Sequence, residues 1–196
     1  MGKCRSFEGL KSELVRKSIH MLIAAVPGLA VINFSNTALF LMCGILFYTW
    51  AESMRFLGFS MPFISHVTGA VLRKREMGRF ALGPVTLGLG ALLSILLFPP
   101  DVAAAAIYAL AFGDSAAGLT GRFLGRLRPA FLVGKSIEGS LACLAVAFLA
   151  GFLVFRDWKI ALAAGIGSML ADMLPIKDFD NLLLPLSAGF FAMFFL

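Results

Sequence analysis

The amino-acid sequence predicts an all-α fold, a polytopic membrane helix bundle of about seven transmembrane helices with a cytoplasmic amino terminus. Three observations carry that prediction. First, 60% of the 196 residues are hydrophobic and only 14% are charged, against roughly 45–50% and about 25% in soluble domains. A soluble enzyme, a disordered chain and a disulfide-stapled chain are thereby excluded. Second, apolar runs recur along the whole chain at lengths near the roughly 20 residues that a membrane helix needs. Third, an inside amino terminus puts all of the 17 basic residues except Arg156 and Lys159 on the cytoplasmic side, as the positive-inside rule requires. A single integral membrane domain, 1–196, is the expected organisation.

The first span, 17–34, is purely apolar only from Met21 to Ile32 and contains Pro27. A signal peptide is set aside because the polar stretch before it carries acids as well as bases and no small-residue cleavage site is evident. The other spans are expected at 36–57, 80–98, 102–121, 138–155, 158–175 and 180–196. Before and between them lie three cytoplasmic features. Segment 1–16 sets Phe7, Leu10 and Leu14 at helical spacing among Arg5, Lys11 and Arg16, and loop 58–79 sets Phe63, Val67 and Val71 before Arg73, Lys74 and Arg75. Both patterns suit amphipathic helices at the headgroups, where anchoring to anionic lipid headgroups is an equally good explanation of the charge. Residues 122–137 form a basic loop. Cys4, Cys43 and Cys143 lack metal spacing and read as packing residues. The net charge of +6 and the pI near 9.6 record topology rather than a nucleic-acid partner, and no protein partner is inferable.

Of the 11 acidic residues only Asp101 and Asp157 fall outside, so one face of the bundle is chemically dense. Its centre is the stretch GDSAAGLTGRFLGRLRPAFLVGKSIEG, from Gly113 to Gly139. Asp114 lies well inside an apolar helix, where an ionised carboxylate costs about 2.5 kcal/mol or more without a partner. Helical spacing puts Gly118, Gly121 and Gly125 on the same face as Asp114. Such a face admits either a neighbouring helix or a ligand, and an aspartate above with arginines below favours the ligand. Arg122, Arg126, Arg128 and Lys135 follow, and Ser136, Glu138 and Gly139 open the next helix. Cations beside free amides at a helix start make a phosphate site. Gly134-Lys135-Ser136 is not a Walker A motif, since Pro129 stands where that motif needs glycine. No dinucleotide fingerprint is present either, as Leu93 follows Gly88 and Gly90.

Other polar residues fall at the same depth. Arg16 and His20 share a face near the cytoplasmic end of the first helix, and Glu52 and Arg55 share one on the second. Asp172 ends the sixth helix on the face of Gly165 and Ser168, and Asp180-Asn181 opens the seventh, where a helix cap would explain Asp180 as well.

Taken in order, Arg16-Lys17 with His20, Glu52 with Arg55, Glu76 with Gly83, Gly113-Asp114 through Gly121-Arg122 and Gly125-Arg126, Lys135-Ser136 with Glu138-Gly139, and Asp180-Asn181 with Pro185 resemble the CTP-dependent lipid-alcohol kinases. That family comprises dolichol kinase, phytol kinase and the CTP-dependent diacylglycerol kinases. In length the chain is closer to the short phytol kinase type. Asp172 stands where the family usually has glutamate, which leaves the role of that acid open.

The resemblance implies transfer of the γ-phosphate of CTP to the hydroxyl of a membrane lipid alcohol (phytol, polyprenol or diacylglycerol), releasing CDP. Carried over residue by residue, it points to Asp114, Lys135, Glu138, His20 and Glu52 for catalysis. For the nucleotide it points to Arg16, Lys17, Arg55, Glu76, Gly113, Gly118, Gly121, Arg122, Gly125, Arg126, Ser136, Gly139 and Asn181. Asp114 and Asp180 are the candidate Mg²⁺ ligands, with Glu138 a further one, because Mg²⁺ takes one or two carboxylates plus phosphate oxygens. Asp114, Glu52 and His20 all remain open as the base for the lipid hydroxyl. A cytidylyltransferase acting on a lipid phosphate is the alternative enzyme. A small transporter is the alternative outside catalysis, although such folds place ionisable residues near the midplane.

Overall fold

A computed structural model describes residues 15–59, 80–129, 132, 134–176 and 179–196. The expected segment 1–16 and loop 58–79 therefore lie almost wholly outside the described residues. The described residues form seven helices: α1 (Val15–Ile32), α2 (Phe34–Phe56), α3 (Gly83–Leu97), α4 (Pro100–Phe123), α5 (Ile137–Phe155), α6 (Trp158–Met173) and α7 (Asp180–Met193). No strand occurs among them. Four helices, α1, α2, α4 and α5, are long and apolar enough to cross a membrane, while α3 is a shorter apolar helix. At 16 and 14 residues, α6 and α7 reach about 24 and 21 Å at 1.5 Å per residue.

Local chemistry sets the boundaries. The break between α1 and α2 falls at Asn33, whose extended backbone leaves the helix and whose side chain accepts from the Asn36 amide at 2.9 Å. Pro27 lies within α1 just after a tightened turn at Ile23–Ala25, where its missing N–H costs least. Pro84 and Pro100 stand in the first turns of α3 and α4 for the same reason. The α5–α6 turn is made by Arg156 in the left-handed region at φ 57° and by Asp157, which accepts from the amides of Lys159 at 2.7 Å and Ile160 at 3.4 Å.

The packing places α4 at the centre: 61% of its apolar stretch is buried, against 11% for α2. Helix α5 packs on α4 and α6, and α7 lies against α3, α4 and α6. These contacts rest on close approach through small residues. A Cβ at Gly113 would meet Cys143 Sγ at 3.3 Å, and one at Gly167 would meet the Ser187 carbonyl at 2.7 Å. The leucine and phenylalanine side chains exposed on α2, α5 and α7 are what a lipid-facing surface needs.

Midway along α4 the helix widens into a single π-helical turn, Ala109–Gly113, and the Asp114 amide donates to the Ala109 carbonyl five residues back. Such turns rotate the residues that follow relative to those before. In this helix the residue that follows is Asp114.

Candidate active site

Charged ends of five of the helices meet at one place. The amino-terminal ends of α1, α5 and α7 and the carboxy-terminal parts of α4 and α6 surround a cleft of about 340 Å³, within the roughly 300–1,000 Å³ of small-molecule pockets. Five basic residues, Arg16, Lys17, Arg122, Arg128 and Lys135, line it against three acidic ones, Asp114, Asp172 and Asp180. The excess of positive charge favours an anionic ligand. Gly118, Gly121, Ser136 and Gly139 also line the wall, so of the expected glycine face Gly118 and Gly121 border a cavity while Gly125 does not.

On one side Lys17, itself buried, donates from Nζ to the Asp114 carboxylate and, at 2.7 Å, to the Asp114 carbonyl oxygen. His20, one turn along α1, places Nδ1 3.1 Å from Asp114 Oδ2. The aspartate that the apolar helix could not hold alone thus has a cation and an imidazole beside it, as a carboxylate at this depth requires. His20 stands behind the pair and does not line the cleft.

On the other side Lys135 donates to the Asp172 carbonyl oxygen and lies 3.4 Å from Asp172 Oδ1 and 3.9 Å from Asp180 Oδ2. Asp172 Oδ2 accepts from Ser140 Oγ at 2.6 Å. Ser140 and Asp172 are both buried.

The start of α5 departs from the expected phosphate cradle of free amides. Ser136 caps the helix by accepting from the Gly139 amide at 3.1 Å, and the Ile137 amide donates to the Leu127 carbonyl at 3.0 Å. A phosphate in this cleft would meet cationic side chains rather than these two amides. Glu138 also lies apart from that cradle. Its carboxylate turns back to accept from the amides of Arg126 at 2.9 Å and Leu127 at 3.0 Å, so it clamps the basic loop and stands outside the cleft.

Several other expected residues also lie elsewhere. Glu52, fully buried, accepts from Arg55 through Nε at 2.7 Å and Nη2 at 2.6 Å and from the Ala81 amide at 2.8 Å. Glu52 and Arg55 therefore lock the end of α2 to the chain entering α3, away from the cleft, and Glu52 is not placed to act as a base. Asn181 spends its amide on the Gly83 carbonyl at 3.2 Å and Thr86 Oγ1 at 3.4 Å, joining α7 to α3. Gly113 serves the α4–α5 contact, and Gly125 packs on Ser136, where a Cβ would come within 2.6 Å of Oγ. Arg126 is exposed and does not line the cleft. Glu76 lies outside the described residues.

Two contributors carried little sequence signal. Arg128 read as one loop cation among four, yet its guanidinium donates to the carbonyls of Gly121 at 2.7 Å, Gly134 at 3.2 Å and Gly125 at 3.4 Å, closing the loop over the cleft wall. Ser140, a small residue within an apolar helix, carries no motif in the sequence, and its hydroxyl reaches Asp172 only in the fold. Among the described residues no three His, Cys, Asp or Glu side chains are gathered so as to hold a metal by themselves.

Comparison with known proteins gives two relatives. The chain is 36% identical over 80 residues, 41% of its length and 25% of the relative's, to CTP-dependent diacylglycerol kinase 1 of Eremothecium gossypii. It is 29% identical over 143 residues, 69% of its length and 48% of the relative's, to CTP-dependent diacylglycerol kinase 1 of Saccharomyces cerevisiae. The matched stretches thus span about half or less of these relatives. No family model matches, and no solved structure does. Both similarities support the CTP-dependent lipid kinase family that the ordered motifs resemble.

Proposed function

We propose that this chain is a CTP-dependent lipid kinase, with diacylglycerol as the acceptor to be tested first and phytol and polyprenols after it. The observation that carries the proposal is the cleft itself, in which Lys17–Asp114 and Lys135–Asp172 stand among further cations at one end of an apolar bundle. The names of the two relatives support the donor and the acceptor class.

All seven helices cross the bilayer in this reading, with the amino terminus and the cleft on the cytoplasmic side, as the distribution of basic residues favours. A nucleoside triphosphate then arrives from water while the acceptor hydroxyl waits at headgroup depth. Phosphoryl transfer asks mainly for positioning and charge neutralisation. Lys17, Arg16 and Arg122 on one wall and Lys135 on the other hold the phosphates. The lipid hydroxyl oxygen bonds to the γ-phosphorus, the bond from that phosphorus to the β–γ bridging oxygen breaks, and CDP leaves. Asp114, with His20 behind it, takes the hydroxyl proton.

Carboxylates without a complete protein cage suit a Mg²⁺ that enters with the triphosphate, since this ion keeps one or two carboxylates and fills its shell from phosphate oxygens and water. Asp180 would hold it, leaving Asp114 to the hydroxyl proton, and it would neutralise charge on the phosphates.

The test is to incubate the purified protein in lipid nanodiscs with γ-labelled CTP and, separately, diacylglycerol, phytol, polyprenol and a lipid phosphate. Label on diacylglycerol together with stoichiometric CDP is the expected result. Pyrophosphate in place of CDP would instead indicate cytidylyl transfer, and no labelled lipid in any arm would overturn the proposal.

A further inference from the structure

Lys135 leaves the first residues of the α5 entry and ends in a socket of three oxygens from two other helices. These are the Asp172 carbonyl and carboxylate at the end of α6 and the Asp180 carboxylate at the start of α7. The socket is chemically apt, because an ammonium carries three donors and the carbonyls of a helix's last turn lack partners within the helix. Cations are also favoured at that end of the dipole. Lys135 nevertheless remains partly open to the cleft, with 23% of its side chain exposed.

Asp172 is anchored from behind. Ser140 stands one turn into α5 with no exposed surface, and its hydroxyl donates to Asp172 Oδ2, leaving Oδ1 on the side of Lys135. A flexible four-carbon lysine stem loses considerable rotamer freedom when held. A socket formed before the ligand arrives has already met that cost.

We propose that Asp172, fixed by Ser140, is a positioning residue that holds the Lys135 ammonium at the cleft wall, aimed at the phosphates of the nucleotide. This rests on the reading of the cleft as a nucleoside triphosphate site. Asp172 acts through Lys135 and does not itself touch substrate. Ser140, Asp172 and Lys135 form a chain from the buried helix interface to the ligand. Removing either inner member should loosen the outer one without altering the site of the lipid.

The experiment measures binding of Mg-CTP and, with diacylglycerol, the KM of each substrate for wild type, Ser140→Ala, Asp172→Asn, Asp172→Glu, Lys135→Ala and the Lys135→Ala/Asp172→Asn double variant, all in nanodiscs. Loss of one charge-assisted contact weakens CTP binding by about tenfold or more. The expected result is that loss for Asp172→Asn, a smaller one for Ser140→Ala and partial recovery for Asp172→Glu, with the lipid KM unmoved throughout. The double variant should bind CTP no more weakly than Lys135→Ala alone, because residues acting through one another are not additive. Additive losses, a shifted lipid KM, or wild-type CTP binding in Asp172→Asn would overturn the proposal. If Asp172→Asn does not reach the membrane folded, Ser140→Ala, which removes one hydroxyl, decides by the same criteria. A wild-type protein that binds no CTP brings down both this inference and the functional reading, whereas failure of the variants alone brings down only this one.

Discussion

Lys17 and Asp114, 97 positions apart in the chain, share two contacts: the ammonium donates to the carboxylate and to the backbone carbonyl of the same aspartate. The pair joins α1 to the centre of α4 at the wall of the cleft. Each charge makes the other tolerable in an apolar bundle, and removing one leaves the other buried without its partner.

Asp114→Asn should therefore lower CTP-dependent lipid phosphorylation at least a hundredfold, the usual scale for a group in proton transfer. It should also lower thermal stability in detergent. Lys17→Met should destabilise as well, by up to about 3 kcal/mol. The double variant should recover stability relative to either single one while staying inactive. Thermal unfolding of the four proteins, set beside label transfer, checks this, and a double variant no more stable than the singles would contradict it.

Glu52→Gln should act on folding. Its carboxylate satisfies Arg55 and the Ala81 amide, so about 2 kcal/mol or more should be lost, short of the fully buried value because 22% of the Arg55 side chain is exposed. Folded protein recovered after purification should keep a near-normal KM for CTP. A specific loss of CTP affinity at unchanged stability would place Glu52 in the site after all.

Gly139→Ala should be more damaging than Gly121→Ala. The new Cβ at 139 would stand 2.9 Å from the Ala117 carbonyl and 3.3 Å from Gly121 Cα, forcing α4 and α5 apart. At 121 its nearest neighbour is the Ser136 hydroxyl at 3.0 Å, a side chain with more room to give. Activity should fall about tenfold or more at 139, in line with an ångström-scale shift of catalytic groups, and less at 121. Equal losses at the two positions would argue against this packing.

Glu138→Gln should separate a loop clamp from a metal ligand. The carboxylate accepts from two loop amides, so the variant should raise KM for CTP several-fold, the scale of one weakened charge-assisted bond. The Mg²⁺ concentration giving half-maximal activity should stay unchanged. Asp180→Asn should shift that Mg²⁺ midpoint upward. A shift with Glu138→Gln and none with Asp180→Asn would reverse the assignments.

Much of this was legible along the chain because hydropathy and charge are properties of consecutive residues. They determined the helical membrane class, the positions of the helices to within a few residues, and the gathering of charge at one end, with Asp114 and Lys135 among its chemistry. Ordered motifs added the family resemblance, which the two relatives support.

Only the tertiary structure decided which residues meet. Residue type and motif order made Glu138, Glu52 and Asn181 candidates alongside Asp114, yet the first clamps a loop and the other two join helices. Asp172, a departure from the family pattern in the sequence, is instead the residue that receives Lys135. The physical reason lies in rotation and depth. A side chain's partners depend on how each helix turns and how closely it approaches its neighbour. Here those are set by the π-helical turn before Asp114 and by glycine contacts such as Gly113 on Cys143, which act between segments far apart in the chain and leave no periodic trace in either one.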